Sequence, residues 1–180
     1  MKTTITEALA SLKLTQKKLD QKGQFIAQYL YRQNAFKDPM LNEGGSEKVI
    51  KSERQSINDL SNGIIALRKA INLANDTTFI EIQGVNRSIS EWIIWRREIS
   101  KKQEAILGAW AAGIRTARST AQQKGLSVVT AEKDSISVND LIINISEVEL
   151  QKDIESLQST LGVLDGLLSL KNATTFVEVL

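Results

Sequence analysis

The chain has 180 residues, of which 42% are hydrophobic and 24% charged, with a single Pro; that composition belongs to a globular chain and excludes disorder over most of its length. It contains no His and no Cys, which excludes Cys nucleophiles, disulfide frameworks, Ser-His-Asp triads and the usual zinc sites. Net charge is only +2, but residues 87–124 carry eight Lys/Arg against three Asp/Glu, and residues 132–180 carry three against nine, so basic and acidic segments can pair within the chain or across a symmetric interface.

The first predicted element is a helix over residues 4–36, capped by Thr3 or Thr6. Ile5, Leu9, Leu12, Gln16, Leu19, Gly23, Ile26 and Leu30 recur at alternating steps of four and three, which makes a heptad seam with weak positions at Gln16 and Gly23. Asp38-Pro39 stops the helix. After the loop Gly44-Gly45, Ser46 reads as the next N-cap, and a second helix over 47–74 repeats the spacing through Ile50, Glu53, Ile57, Leu60, Ile64, Leu67, Ile71 and Ala74. Two such helices joined by a short loop pack as an antiparallel hairpin.

A strand follows over 77–82, β-branched and aromatic, with Gln83-Gly84 as turn residues. Ser88-Ile89-Ser90-Glu91 is a capping box and opens a helix over 89–124, closed by Gly125. Its seam is Ile89, Trp92, Arg96, Ile99, Gln103, Ile106, Trp110, Ile114, Ala117 and Ala121. Two extended pieces, 126–131 and 140–145, read as strands joined in a hairpin. Ser146-Glu147-Val148-Glu149 is a second capping box, opening a helix over 147–170 with Leu150, Ile154, Leu157, Leu161, Leu164 and Leu168 in strict alternation and Asn172 as its stop. A last strand takes 174–180.

One internal echo stands out. Asn75-Asp76-Thr77-Thr78-Phe79-Ile80-Glu81-Ile82 repeats as Asn172-Ala173-Thr174-Thr175-Phe176-Val177-Glu178-Val179, each copy directly after a heptad helix. The echo predicts two helix-to-strand corners with both strands in one small sheet. The expected fold is therefore α+β, mainly α, in a single domain 1–180: four long amphipathic helices in an antiparallel coiled-coil-like bundle, with a small sheet of three to four short strands. No window approaches 18 consecutive apolar residues, so no membrane span is expected.

The candidate chemistry is sparse. Glu147, Glu149, Asp153 and Glu155 cluster, but no motif pins a metal there, and acids at a helix start are what the macrodipole favours. Gly44-Gly45-Ser46, with Lys48 and Lys51 behind it, could hold an anion at a helix N-terminus or be a plain turn. The strongest candidate is Arg87-Ser88-Ile89-Ser90-Glu91-Trp92-Ile93-Ile94-Trp95-Arg96-Arg97, which puts two of the three tryptophans and three arginines within eleven residues. Indoles stack on bases and guanidinium forks hold phosphate. Arg87, Ser88, Trp92, Trp95, Arg96 and Arg97 are thus the expected binding residues, and a small nucleotide is the ligand they would suit. The rival reading makes Trp92 core and pairs the arginines with the acidic last helix. Arg115, Arg118 and Lys124 form a second basic group, too sparse to read as a track for long nucleic acid.

Residues 87–98 and Leu168-Ser169-Leu170-Lys171-Asn172-Ala173-Thr174, together with the Gly44-Gly45-Ser46 loop and Glu53-Arg54-Gln55, resemble small helical proteins of tailed bacteriophages and their prophages. The resemblance implies a viral origin and action in the bacterial cytoplasm or a virion, and it carries over no catalytic residue. The expectation is a non-enzymatic homo-oligomer without cofactor or metal. It would be either a counter-defence sponge for a nucleotide-like anion or a structural component of a phage particle.

Overall fold

The computed structural model describes residues 2–130 and 136–178. Its element order is β1 (Lys2–Thr4), α1 (Ile5–Gln28), α2 (Ser46–Thr77), β2 (Phe79–Ile82), β3 (Val85–Ser88), α3 (Ile89–Ile94), a π-helical turn (Trp95–Ile99), α4 (Ser100–Lys124), β4 (Ser127–Thr130), β5 (Asp140–Ile143), α5 (Glu147–Thr174) and β6 (Phe176–Glu178). The chain is mainly helical with small strand pairs. Among the described residues no helix is long and apolar enough to cross a membrane. The contacts divide it into two compact units, one of residues 1–78 and 169–180 and one of residues 79–168.

In the first unit α1 packs on α2, and Lys22 near the end of α1 meets Glu53 near the start of α2 at 2.5 Å, the pairing of an antiparallel hairpin. The cap of α1 is Thr4, not Thr3 or Thr6. Only Thr4 has a Glu three residues on, so that Glu7 N–H donates to Thr4 Oγ1 (3.3 Å) and Thr4 N–H to Glu7 Oε2 (2.8 Å). The helix ends at Gln28, well before Phe36: Tyr29 leaves helical geometry, and the next seam residue, Leu30, is exposed. Ser46 is not the cap of α2; that position is Gly45, and Ser46 is the first helical residue. The capping anion comes from Asp38, whose carboxylate accepts from Ser46 N–H (3.0 Å), Ser46 Oγ (2.5 Å) and Met40 N–H (2.9 Å).

The strands form three separate pairs, β1–β6, β2–β3 and β4–β5, rather than one sheet. β6 pairs with β1, a strand absent from the expected elements, and not with β2. Ala131, Val179 and Leu180, included in the expected strands, lie outside the described residues. β4 and β5 run parallel instead of forming a hairpin. A turn at Ser137–Asp140, closed by Asp140 N–H to Ser137 O at 3.0 Å, leads into β5. α5 continues past Asn172 to Thr174, with the Thr174 hydroxyl bonded back to Leu170 O.

The echo is realised in another way. In the first unit Thr4 lies opposite Phe176, Thr3 opposite Val177 and Lys2 opposite Glu178. In the second, Ser88 lies opposite Phe79, Arg87 opposite Ile80 and Asn86 opposite Glu81. Each capping Ser/Thr faces a Phe, each following aliphatic (Val177, Ile80) is buried, and each helix opens on a buried Ile (Ile5, Ile89). Both carry a complete capping box, Thr4 with Glu7 and Ser88 with Glu91. The same strand-cap-helix corner is therefore built twice. The copies differ in what they add: Thr3 and Ala8 in one, Arg87 and Trp92 in the other.

Candidate functional site

In the second unit, β2 and β3 are joined by Gln83-Gly84, both with positive φ (52° and 77°), the geometry that a two-residue hairpin turn demands. Gln83 is a costly residue to hold there. Its carboxamide has a use: Gln83 Oε1 accepts from Ser156 Oγ (2.7 Å) and Thr160 Oγ1 (3.3 Å), tying the hairpin tip to α5. Behind it Trp92 is 2% exposed, with its indole N–H donating to Ile80 O at 2.9 Å. Trp95 meets Trp92 edge-on at 5.4 Å, and the Arg87 guanidinium lies over the Trp92 ring at 4.9 Å.

These elements enclose a groove of about 600 Å³, within the range of small-molecule sites. The hairpin supplies Gln83, Val85 and Arg87 to one wall, Trp92 and Trp95 form the floor, α4 supplies Gln103, Ile106 and Trp110, and α5 supplies Asp153, Ser156 and Thr160. Among the described residues Arg87 and Asp153 are the only charged side chains that line the groove, and neither has an ion-pair partner there. An unpaired guanidinium, an unpaired carboxylate and half-exposed indole surface (Trp110, 48%) share one concavity.

Of the six expected binding residues, Arg87, Trp92 and Trp95 line the groove. Ser88 is buried as the helix cap. Arg96 lies outside, forked onto Asp165 of α5 (Nη1 to Oδ1 2.7 Å, Nη2 to Oδ2 3.0 Å), as the rival reading held. Arg97 is exposed and does not line the groove. The π-helical turn explains the split. It inserts a residue into the helical repeat, so Ser100, Leu107, Ala111 and Ile114 turn inward. Ile99, Gln103, Ile106 and Trp110 of the expected seam turn out, while its Ile89, Trp92, Ile114 and Ala121 are buried as expected. Gln83, Gln103, Trp110 and Asp153 were not among the expected site residues. The one sequence signal was the seam itself, where polar Arg96 and Gln103 mark the stretch that leaves the core.

Some members of the other candidate groups are engaged within the fold. Arg118 of the second basic group pairs with Glu147, and Glu155 accepts from Gln151 Nε2 at 2.8 Å. Among the described residues no three acids are placed to hold a metal. In the first unit a cavity of about 720 Å³ lies beside Gly44-Gly45-Ser46, Arg32, Lys51 and Arg54. Its helix terminus is already satisfied by Asp38, whose carboxyl is held below the ordinary range first by the Ser46 hydroxyl, then by the Ser46 and Met40 amides, with Arg32 adding to them.

Comparison of the chain with protein-family models, curated proteins and solved structures returns no match, so the groove's residues alone carry the functional argument.

Proposed function

We propose that this protein is a non-enzymatic binding protein whose groove captures a mononucleotide-like ligand, a flat aromatic ring with one anionic group. The carrying observation is Arg87, a guanidinium without an acidic partner, set in the same groove as the indoles of Trp95 and Trp110. Stacking serves the ring, and a charge-assisted hydrogen bond serves the anion. With one cation the groove suits one phosphate-sized charge; Arg96 is engaged elsewhere. The two corners support this reading: where the groove corner has Arg87 and Trp92, its copy has Thr3 and Ala8 in the same register, so the fold does not itself require Arg and Trp. In a phage-type protein such a site would serve as a sponge that removes a nucleotide signal in the host cytoplasm.

The test is calorimetric titration with nucleoside monophosphates on wild type, Arg87→Ala, Trp110→Ala and Arg96→Ala. Arg87→Ala should weaken binding by about 1.5–3 kcal/mol, the scale of a charge-assisted hydrogen bond, and Arg96→Ala should leave it unchanged. Absence of binding, or equal losses in both Arg variants, overturns the reading.

A second reading, assembly through homo-oligomeric interfaces, is favoured by the exposed apolar residues Leu9 and Leu14 of α1, Ile65 and Leu73 of α2, and Ile99 and Ile106. In it the long helices complete a coiled-coil-like bundle between copies, as in a particle component. Light scattering across a concentration series decides it: a constant monomer mass removes it.

A further inference from the structure

The groove is lined by two charged side chains, Arg87 and Asp153, of opposite hydrogen-bonding character. On the hairpin wall, Arg87 is a donor only. Gln83 adds to it. Its Oε1 is already occupied by the hydroxyls of Ser156 and Thr160, which leaves the two Nε2 N–H donors as its remaining capacity. On α5, Asp153 offers carboxylate oxygens, which accept. It is exposed, and none of the hydrogen bonds or ion pairs of the described residues engages it. Arg87 and Asp153 line the same groove without reaching each other.

A ligand with an anionic group can seat that group in one direction only. Against Asp153 it would meet like charge; against Arg87 it meets the N–H fork of a guanidinium. A ring that reaches Asp153 from there presents one edge to its carboxylate. A carbonyl on that edge would set acceptor against acceptor, leaving only a ring N–H, as in inosine or uridine, to donate. A ring edge bearing an amino group would donate to the carboxylate.

Resting on the mononucleotide reading of this groove, we propose that Asp153 makes the site selective for nucleotides whose base carries an exocyclic amino group, with Arg87 on the phosphate and Asp153 on the amine. Guanosine monophosphate differs from inosine monophosphate only by that amine, and cytidine monophosphate replaces with an amine the 4-carbonyl of uridine monophosphate. The amino member of each pair should bind about tenfold or more tightly, the scale of one hydrogen bond to a charged group.

The experiment measures all four nucleotides by calorimetry on wild type, Asp153→Asn and Arg87→Ala. Asp153 has no partner to lose, so the Asn variant should fold with an unchanged melting temperature. The expected result is a preference of tenfold or more in wild type that shrinks to below about threefold in Asp153→Asn, through loss of the amino-bearing ligands. In Arg87→Ala all four should weaken together. Equal binding of both members of each pair, with Arg87→Ala still weakening them, overturns the selectivity and leaves the binding function standing. No binding of any of the four overturns both. A preference that survives Asp153→Asn places the amine elsewhere and overturns the role of Asp153.

Discussion

Replacing Trp92 separates the core of the corner from its binding surface. The ring is 2% exposed, its N–H is spent on Ile80 O at 2.9 Å, and Trp95 and Arg87 both rest on it. An aromatic side chain of this size buries about 150–250 Å², which at roughly 25 cal/mol per Å² is about 4–6 kcal/mol as an upper estimate. Trp92→Ala should therefore cost about 3–5 kcal/mol. The protein should still fold, because the corresponding position of the other corner is Ala8, fully buried in the same setting. Trp92→Phe keeps most of the apolar volume and removes the indole hydrogen bond to the Ile80 carbonyl, at about 0.5–1.5 kcal/mol. For a chain of this length each kcal/mol lowers the melting temperature by about 2–4 °C, so the Ala variant should melt about 6–20 °C below wild type. Urea unfolding followed by circular dichroism gives the free energies directly. A loss below about 1 kcal/mol in Trp92→Ala would refute the core assignment, since no side chain buried to this extent is removed so cheaply.

Two further outcomes test the first unit. Asp38 and Glu7 both have carboxyls held below their ordinary values of 3.8 and 4.5, Asp38 chiefly by the Ser46 hydroxyl and Glu7 chiefly by the Thr4 amide. A depressed folded-state pKa contributes stability that is present above the unfolded value and lost as pH falls through the folded one. The melting temperature should thus fall as pH drops below 4.5, and Asp38→Asn should flatten the part of that fall below 3.8; parallel wild-type and variant curves would refute the capping role. Val177, 1% exposed in β6, tests strand pairing: Val177→Asp buries a carboxylate and should cost at least about 3 kcal/mol. Hydrogen exchange should then show loss of protection in β1, its partner, with β2 and β3 retained; loss centred on β2 would restore the single-sheet arrangement.

What the sequence determined by itself is local. A capping box spans four residues, so Ser88 with Glu91 could be read without any fold, as could the stop at Gly125 with its positive φ and the heptad runs of α1, α2 and α5. These features arise from backbone groups and side chains one to four positions apart. The start of α2 was misplaced because a remote group intervened, Asp38 reaching eight residues forward to cap it, whereas the Thr4–Glu7 cap of α1 is local and could have been read. Strand partners were not legible. The echo disclosed two copies of one corner, but β6 meets β1 across nearly the whole chain, a pairing decided by closure of the fold rather than by neighbours. Only tertiary structure likewise divided the Trp/Arg cluster. In a regular helix Trp92 and Arg96 share a face; the π-helical turn changes the phase after Trp95. That change sends Arg96 to Asp165 and turns Gln103 and Trp110 toward the hairpin that carries Gln83 and Arg87. The groove is composed from four segments between residues 82 and 160, and no local pattern encodes such a meeting, because the packing that forms it is a sum of contacts between residues distant in the chain.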